Sequence, residues 1–288
     1  MGLISSLAHK VSWRLGLLRK AFLMRECVDW GSVFKDIISS HRDSHFFPIN
    51  LIESKEGFGL YQVEDKRFWF PLNFDTRGLD LAYWEIFVDK CYEYGACRIR
   101  PGDWVIDAGA CEGFFSLYAL ERGANVIAFE PIPELAKALE LTLQDYINAG
   151  RAKVLPYGLG KDDEEKEMLI FEDFVGSSTF SMEKATHWAL DTSSCRRGSV
   201  KVTSLDRLLK DGLLPPVSFI KADVEGYERE LLLGARDLIS KYRPRLSICT
   251  YHLPDDLIEI LKIVKEFGLD YSIKLVTKDE TFKLMYAW

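Results

Sequence analysis

From Asp103 onward, short apolar runs alternate with stretches of helical period. Trp104–Ala108, Asn125–Phe129, Lys153–Pro156, Val217–Ala222 and Leu246–Thr250 each read as a strand. Gly113–Arg122, Pro133–Asn148, Tyr227–Leu233 and Asp255–Phe267 each read as a helix, with Pro133 suited to a first turn. Strands spaced by helices predict right-handed βαβ units and a parallel sheet covered on both faces. The alternation stops at the end of the chain. Tyr271–Val276 and Thr281–Trp288 flank a short turn around Lys278-Asp279-Glu280, which predicts an antiparallel hairpin closing one sheet edge. The expected class is α/β, doubly wound and mostly parallel, with a C-terminal antiparallel hairpin.

The region before Asp103 reads differently. Residues 1–25 carry Lys10, Arg14, Arg19, Lys20 and Arg25 and no acid, so the rest of the chain must hold a net −12 against the total of −7. Ile4, Leu7, Val11, Leu15, Leu18 and Phe22 share one face of a helical wheel, which predicts a basic amphipathic helix over residues 1–28. Such a helix can lie on an anionic membrane surface, pack on its own domain, or join two copies of the chain. It lacks the compact apolar core and cleavage site of a signal peptide. The start Met1-Gly2-Leu3-Ile4-Ser5-Ser6 fits a loose myristoylation pattern that is too short to carry weight. Residues 29–100 read as a lead-in layer. It has a hairpin of Gly57–Val63 and Arg67–Pro71 around Glu64-Asp65-Lys66, then a helix over Asp80–Tyr94 ended by Gly95. The remainder, 101–288, is the expected catalytic domain. Within it, Gly158–Val200 shows no clear helix. A stretch of that length in a compact domain is a lid or conceals short strands.

Composition limits the functions open to this chain. A share of 48% hydrophobic and 28% charged residues is globular, and an acidic balance with pI near 5.4 argues against a nucleic-acid surface. The six cysteines include no C-x-x-C pair, so zinc ribbons and disulfide scaffolds are not expected and a reducing, cytoplasmic setting is. No apolar stretch approaches the 18 or so residues of a membrane span.

Four strand ends carry polar chemistry. Val105–Ala108 leads into Gly109-Ala110-Cys111-Glu112-Gly113, a D-x-G-x-x-x-G loop from Asp107 that opens a helix. Glycines there allow a sharp turn and close approach to the backbone. The spacing is neither G-x-G-x-x-G nor a P-loop, so a phosphate cradle, and with it a nicotinamide-nucleotide oxidoreductase, is disfavoured. Glu130, followed by Pro131, ends the next strand 23 residues after Asp107, where an acid can accept from both hydroxyls of a ribose. Lys221-Ala222-Asp223-Val224-Glu225-Gly226-Tyr227-Glu228 ends a third strand with Asp223 and Glu225, and Tyr251-His252 ends a fourth. His9, His41, His45 and His187 lie outside these motifs and read as structural.

Together with Gly176–Thr179, Val202-Thr203-Ser204-Leu205-Asp206, Gly234-Ala235 and Asp255-Asp256, these motifs resemble the S-adenosylmethionine-dependent methyltransferases of the FkbM type, over roughly Pro101 to Gly268. Lys-x-Asp-x-Glu-Gly-x-Glu is the most specific part. Cys111-Glu112 departs from the Asn and aliphatic residue that such loops often carry. The resemblance implies a Rossmann-like, seven-stranded sheet with an antiparallel seventh strand and S-adenosylmethionine as methyl donor. It implies that the Gly109–Gly113 loop holds the methionine part and Glu130 the ribose. Asp107, Gly109, Ala110, Cys111, Glu112, Gly113, Glu130, Pro131 and Asp223 are the expected donor residues. The implied acceptor is a hydroxyl on a sugar, glycan or natural product. A hydroxyl needs a base, and His252, whose ordinary pKa is near neutrality, is the first candidate, with Asp223 second. No metal is expected. A divalent ion on Asp223, Glu225 and His252 is the alternative to a base, and a non-catalytic donor-binding module is the alternative to an enzyme.

Overall fold

A computed structural model describes residues 17–38, 47–278 and 281–288. Residues 17–23 are helical (α1), and α2 follows at Trp30–Ile38. Three antiparallel strands come next: β1 (Ile49–Lys55), β2 (Phe58–Val63) and β3 (Lys66–Pro71). The hairpin of β2 and β3 is the expected one; β1 adds an outer strand. The single helix expected over Asp80–Tyr94 is shorter. α3 (Leu79–Tyr83) runs into a π-helical turn at Trp84–Val88, and Lys90 then adopts a left-handed conformation that ends it. Leaving the helix early lets Tyr92 turn towards Asp223 at the end of the central sheet, a tertiary contact that local propensity does not encode.

The central sheet uses β4 (Trp104–Ala108), β5 (Asn125–Phe129) and β6 (Ala152–Leu155), with α4 (Phe114–Glu121), α5 (Pro133–Thr142) and α6 (Gln144–Asn148) between them. A small sheet interrupts at the segment without a clear pattern. Its strands are β7 (Gly158–Leu159), β8 (Glu164–Ile170) and β9 (Arg196–Thr203), with α7 (Met182–His187) between the last two. The chain then returns through α8 (Leu205–Lys210), β10 (Phe219–Ala222), α9 (Glu228–Leu233), α10 (Arg236–Tyr242), β11 (Arg245–Cys249) and α11 (Asp256–Glu266). β12 (Ile273–Lys278) and β13 (Thr281–Ala287) form the closing hairpin, whose turn residues 279 and 280 lie outside the described residues. The seven strands order as β12-β13-β11-β10-β4-β5-β6, and β13 alone runs opposite to the other six.

Both faces of this sheet are covered, which is why its strands are apolar throughout. Phe68, Phe70 and Phe114 centre one core, and Ile106, Ile220 and Ile248 belong to the other, where Leu17 and Ala21 of α1 also pack. The amphipathic face read from the sequence is therefore not the buried one. Of its members among the described residues, Leu18 and Phe22 are exposed, while Leu17 and Ala21 are buried. The others, Ile4, Leu7, Val11 and Leu15, lie outside the described residues, as do His9, His41 and His45. No helix among the described residues is long and apolar enough to cross a membrane.

The chain leaves β4 towards β5 and β6 on one side and returns to β10 on the other. Ligands of open α/β sheets bind at that reversal, beyond the carboxyl ends of the strands.

Candidate active site

The loop after β4 is shaped by three left-handed residues, Gly109 (φ 72°), Cys111 (φ 46°) and Gly113 (φ 90°). A Cβ on Gly109 would fall 2.0 Å from the carbonyl oxygen of Asp223. Glycine is needed there because two backbones meet, the loop after β4 and the loop after β10. Close approach of a ligand, the expectation from sequence, is not the binding constraint. Gly113 starts α4, and a Cβ on it would meet Leu139 at 2.5 Å.

Asp107 lies beneath this loop with no exposed surface. Ser116 Oγ donates to its Oδ2 at 2.7 Å, and Lys221 Nζ lies 3.2 Å from its Oδ1. Lys221 also donates to the carbonyls of Gly109 at 2.7 Å and Ala108 at 3.2 Å. Burial disfavours the Lys221 ammonium, but Asp107 and Asp223 outweigh that and raise its pKa above the usual value. Asp107 and Gly113, both expected at the donor, thus do not line the cavity. One is spent on the ammonium and hydroxyl that brace the loop; the other is turned into the helix start.

The cavity itself measures about 1110 Å³, above the usual few hundred to 1,000 Å³ of a small-ligand site and so roomy enough for two reactants. Gly109, Ala110, Cys111, Glu112, Glu130 and Pro131 line one side. Glu130 is only 4% exposed; its Oε2 accepts from the Cys111 amide at 3.0 Å and its Oε1 from the Ile132 amide at 2.9 Å. Each oxygen keeps a further lone pair for a ligand hydroxyl. Burial pushes the Glu130 pKa up to about 7 against the pull of those amides. Burial also raises Glu112 and the Cys111 thiol.

Asp223, Glu225, Tyr251 and His252 line the other side. His252 is 1% exposed; its Nδ1 is 2.9 Å from Glu228 Oε1, and its Nε2 is 3.5 Å from both Asp223 Oδ1 and Glu225 Oε1. Glu228 is fully buried and also accepts from the amides of Val224 at 2.9 Å and Gly226 at 3.1 Å. It therefore shapes the loop after β10 and aims the imidazole in one stroke. Asp223 Oδ2 accepts from the Tyr92 hydroxyl at 2.5 Å, and Glu225 Oε2 from the Lys184 ammonium. Burial raises the pKa of both carboxyls, but Lys221 and His252 for Asp223, and His252 and Lys184 for Glu225, hold them below the usual range. The same charges act in reverse on His252. Burial lowers its pKa, but Glu228 and Glu225 outweigh that and hold it well above the ordinary value. The imidazole expected to titrate near its ordinary value thus sits among carboxylates that favour its charged form.

Tyr92 and Lys184 carry no local signal in the sequence. The first sits beyond a helix that ends early, the second in the segment that reads as unpatterned. That segment is tied to the site at two further points. Trp188 Nε1 donates to the His252 carbonyl at 3.0 Å, and Thr179 Oγ1 to the Glu225 carbonyl at 2.5 Å. Lys221 and Glu228 are different, because both stand in the Lys-x-Asp-x-Glu-Gly-x-Glu segment and were legible by position. His187 is exposed at the end of α7.

The sequence profile of the methyltransferase FkbM domain matches residues 107–271, more than half of the chain. The chain belongs to the FkbM methyltransferase family. It is 38% identical over 205 residues to the AMB antimetabolite synthetase AmbE of Pseudomonas aeruginosa, covering 58% of this chain and 9% of that protein. It is 29% identical to the 31-O-demethyl-FK506 methyltransferase FkbM of Streptomyces tacrolimicus, over 54% of this chain and 68% of the relative. The hexuronic acid methyltransferase AglP of Haloferax volcanii is 27% identical, over 55% and 60%. The methyltransferase FkbM structure from Methylobacillus flagellatus shares the fold, with a TM-score of 0.50 at 22% identity over 72% of this chain and 48% of that one. The FkbM match covers the Gly109–Gly113 loop, Glu130 and the Asp223–His252 cluster, and leaves α1 to α3 and β1 to β3 outside it.

Proposed function

We propose that this FkbM-family chain transfers the methyl group of S-adenosylmethionine to a hydroxyl oxygen of a sugar, glycan or natural product. The observation that carries the proposal is a single cavity with unlike walls. One wall ends in Glu130, whose two oxygens are placed by backbone amides to receive a ribose diol. The other ends in Asp223, Glu225 and His252, two carboxylates and an imidazole drawn together at one point. The relatives support the acceptor class, since one is named for 31-O-demethyl-FK506 and another for hexuronic acid.

The donor sulfonium is cationic, and carboxylates around the cavity favour its approach. Methyl transfer is an in-line displacement, so the chain's main task is to hold two reactants in line. The Gly109–Gly113 loop and Glu130 position the donor, while the Asp223 end faces the acceptor hydroxyl.

Calorimetry with S-adenosylmethionine and its demethylated product should show micromolar binding, and NAD should show none. Labelled donor incubated with glycan, lipid-linked sugar and hydroxylated small-molecule pools should then label at least one oxygen. Failure of both donor forms to bind would remove the proposal.

A further inference from the structure

Asp223 Oδ1, Glu225 Oε1 and His252 Nε2 converge, with all three ligand atoms within 4.8 Å of one another. An octahedral divalent ion with bonds of about 2.1 Å holds neighbouring ligands about 3 Å apart and opposite ones about 4 Å apart. Asp223 Oδ1 and His252 Nε2 are buried and make no hydrogen bond among the described residues. At 3.5 Å the imidazole nitrogen is beyond good hydrogen-bonding distance of either carboxylate. Buried polar atoms without partners are rare, and each calls for a cause.

The atoms behind these three are all engaged. His252 Nδ1 is held by Glu228, Asp223 Oδ2 by the Tyr92 hydroxyl, and Glu225 Oε2 by the Lys184 ammonium. Metal ligands are oriented in this way: the outer atom of each is fixed, which settles the imidazole tautomer and turns the inner atom to the ion. The charges agree. Asp223, Glu225 and Glu228 bring three carboxylates to this point; Lys184 pairs with Glu225, while Lys221, which also acts on Asp223, is hydrogen-bonded to the loop carbonyls and paired with Asp107.

We propose that Asp223, Glu225 and His252 bind a divalent cation of the Mg²⁺ or Mn²⁺ class, with its remaining coordination positions open to the cavity. Two carboxylates, one imidazole and no thiolate suit such an ion rather than a soft one. Its catalytic use rests on the methyl-transfer proposal above; its binding does not. The cation lowers the pKa of a coordinated acceptor hydroxyl, whose proton leaves to solvent water. The oxygen lone pair forms the bond to the methyl carbon, and the electron pair of the carbon–sulfur bond stays on the donor sulfur. The Asp223 carbonyl packs against the Gly109 loop, so the ion would stand beside the donor wall.

The test uses the full chain, stripped with chelator, without donor or acceptor. Mn²⁺ is titrated and the free ion is read by electron paramagnetic resonance. The wild type should take up one Mn²⁺ per chain. Glu225→Gln and His252→Ala should bind at least about tenfold more weakly, and so should Tyr92→Phe, which removes only an outer hydroxyl. Circular dichroism melts check folding, and Tyr92→Phe is the variant least able to disturb it. No stoichiometric uptake by the wild type at millimolar Mn²⁺ overturns the proposal. Equal uptake by the wild type and all three variants overturns it as well. Uptake in a chain that methylates no acceptor supports the site and removes only the activity, so the two proposals fail separately.

Discussion

The two walls of the cavity are built in opposite ways. The wall proposed to hold the donor is local: β4, its loop and the tip of β5 lie within 27 residues, and backbone amides do most of the holding. The wall proposed to face the acceptor is assembled from four distant segments, with Tyr92, Lys184, the Asp223–Glu228 loop and His252 joined side chain to side chain. A wall made of backbone tolerates changes of side chain that spare its glycines. A wall made of paired charges leaves an uncompensated group whenever one partner is lost.

Lys221 is where the two meet, since it stands on β10 and braces the β4 loop. Lys221→Met should produce the largest effect, a loss of roughly 3–5 kcal/mol of stability, because Asp107 is left buried and unpaired. Chemical denaturation measures it; a loss under about 1 kcal/mol would mean that the donor wall stands without β10. Glu130→Ala comes next. It should weaken donor binding by about 1–3 kcal/mol in calorimetry, and leave turnover at saturating donor close to wild type. A fall in turnover instead would break the separation between the walls.

The third effect is a pH dependence. The proposed contact with the donor hydroxyls needs the ionised form of Glu130, whose pKa is pushed up to about 7. Donor affinity should be full above that value and fall about tenfold per pH unit below it. The slope should vanish in Glu130→Gln, and a slope that persists there would assign it to another group. The smallest effect belongs to the small sheet. Trp188→Phe removes one hydrogen bond to the His252 carbonyl and should cost about 0.5–1.5 kcal/mol, seen as a modest rise in the acceptor Michaelis constant with donor affinity unchanged.

The unequal legibility of these walls follows from their construction. Gly109, Glu130 and Asp223 sit at strand ends whose apolar periodicity is strong, so position along the chain was enough to bring them to one sheet edge. Asp107 sits in the same motif and yet faces inward, because Ser116 and Lys221 complete it from below. No pattern in the strand distinguishes an acid that points to a ligand from one that braces a loop. Gly158–Val200 concealed β7, β8, β9 and α7 because β7 has only two residues and β8 and β9 are half exposed, without the continuous apolar run that marks β4 or β5.

Periodicity and strand-end chemistry thus determined the doubly wound sheet, its antiparallel closing hairpin and the edge where ligands meet it, because these follow from interactions within about ten residues. Tertiary structure alone decided the carboxylate surroundings of His252, the partners of Asp223 and Glu225, and which face of α1 is buried. Each depends on charges or apolar surfaces brought together from distant segments. Tyr92 lies 131 residues from Asp223 and Lys184 lies 41 from Glu225, and Coulomb energies depend on separation in space, not along the chain.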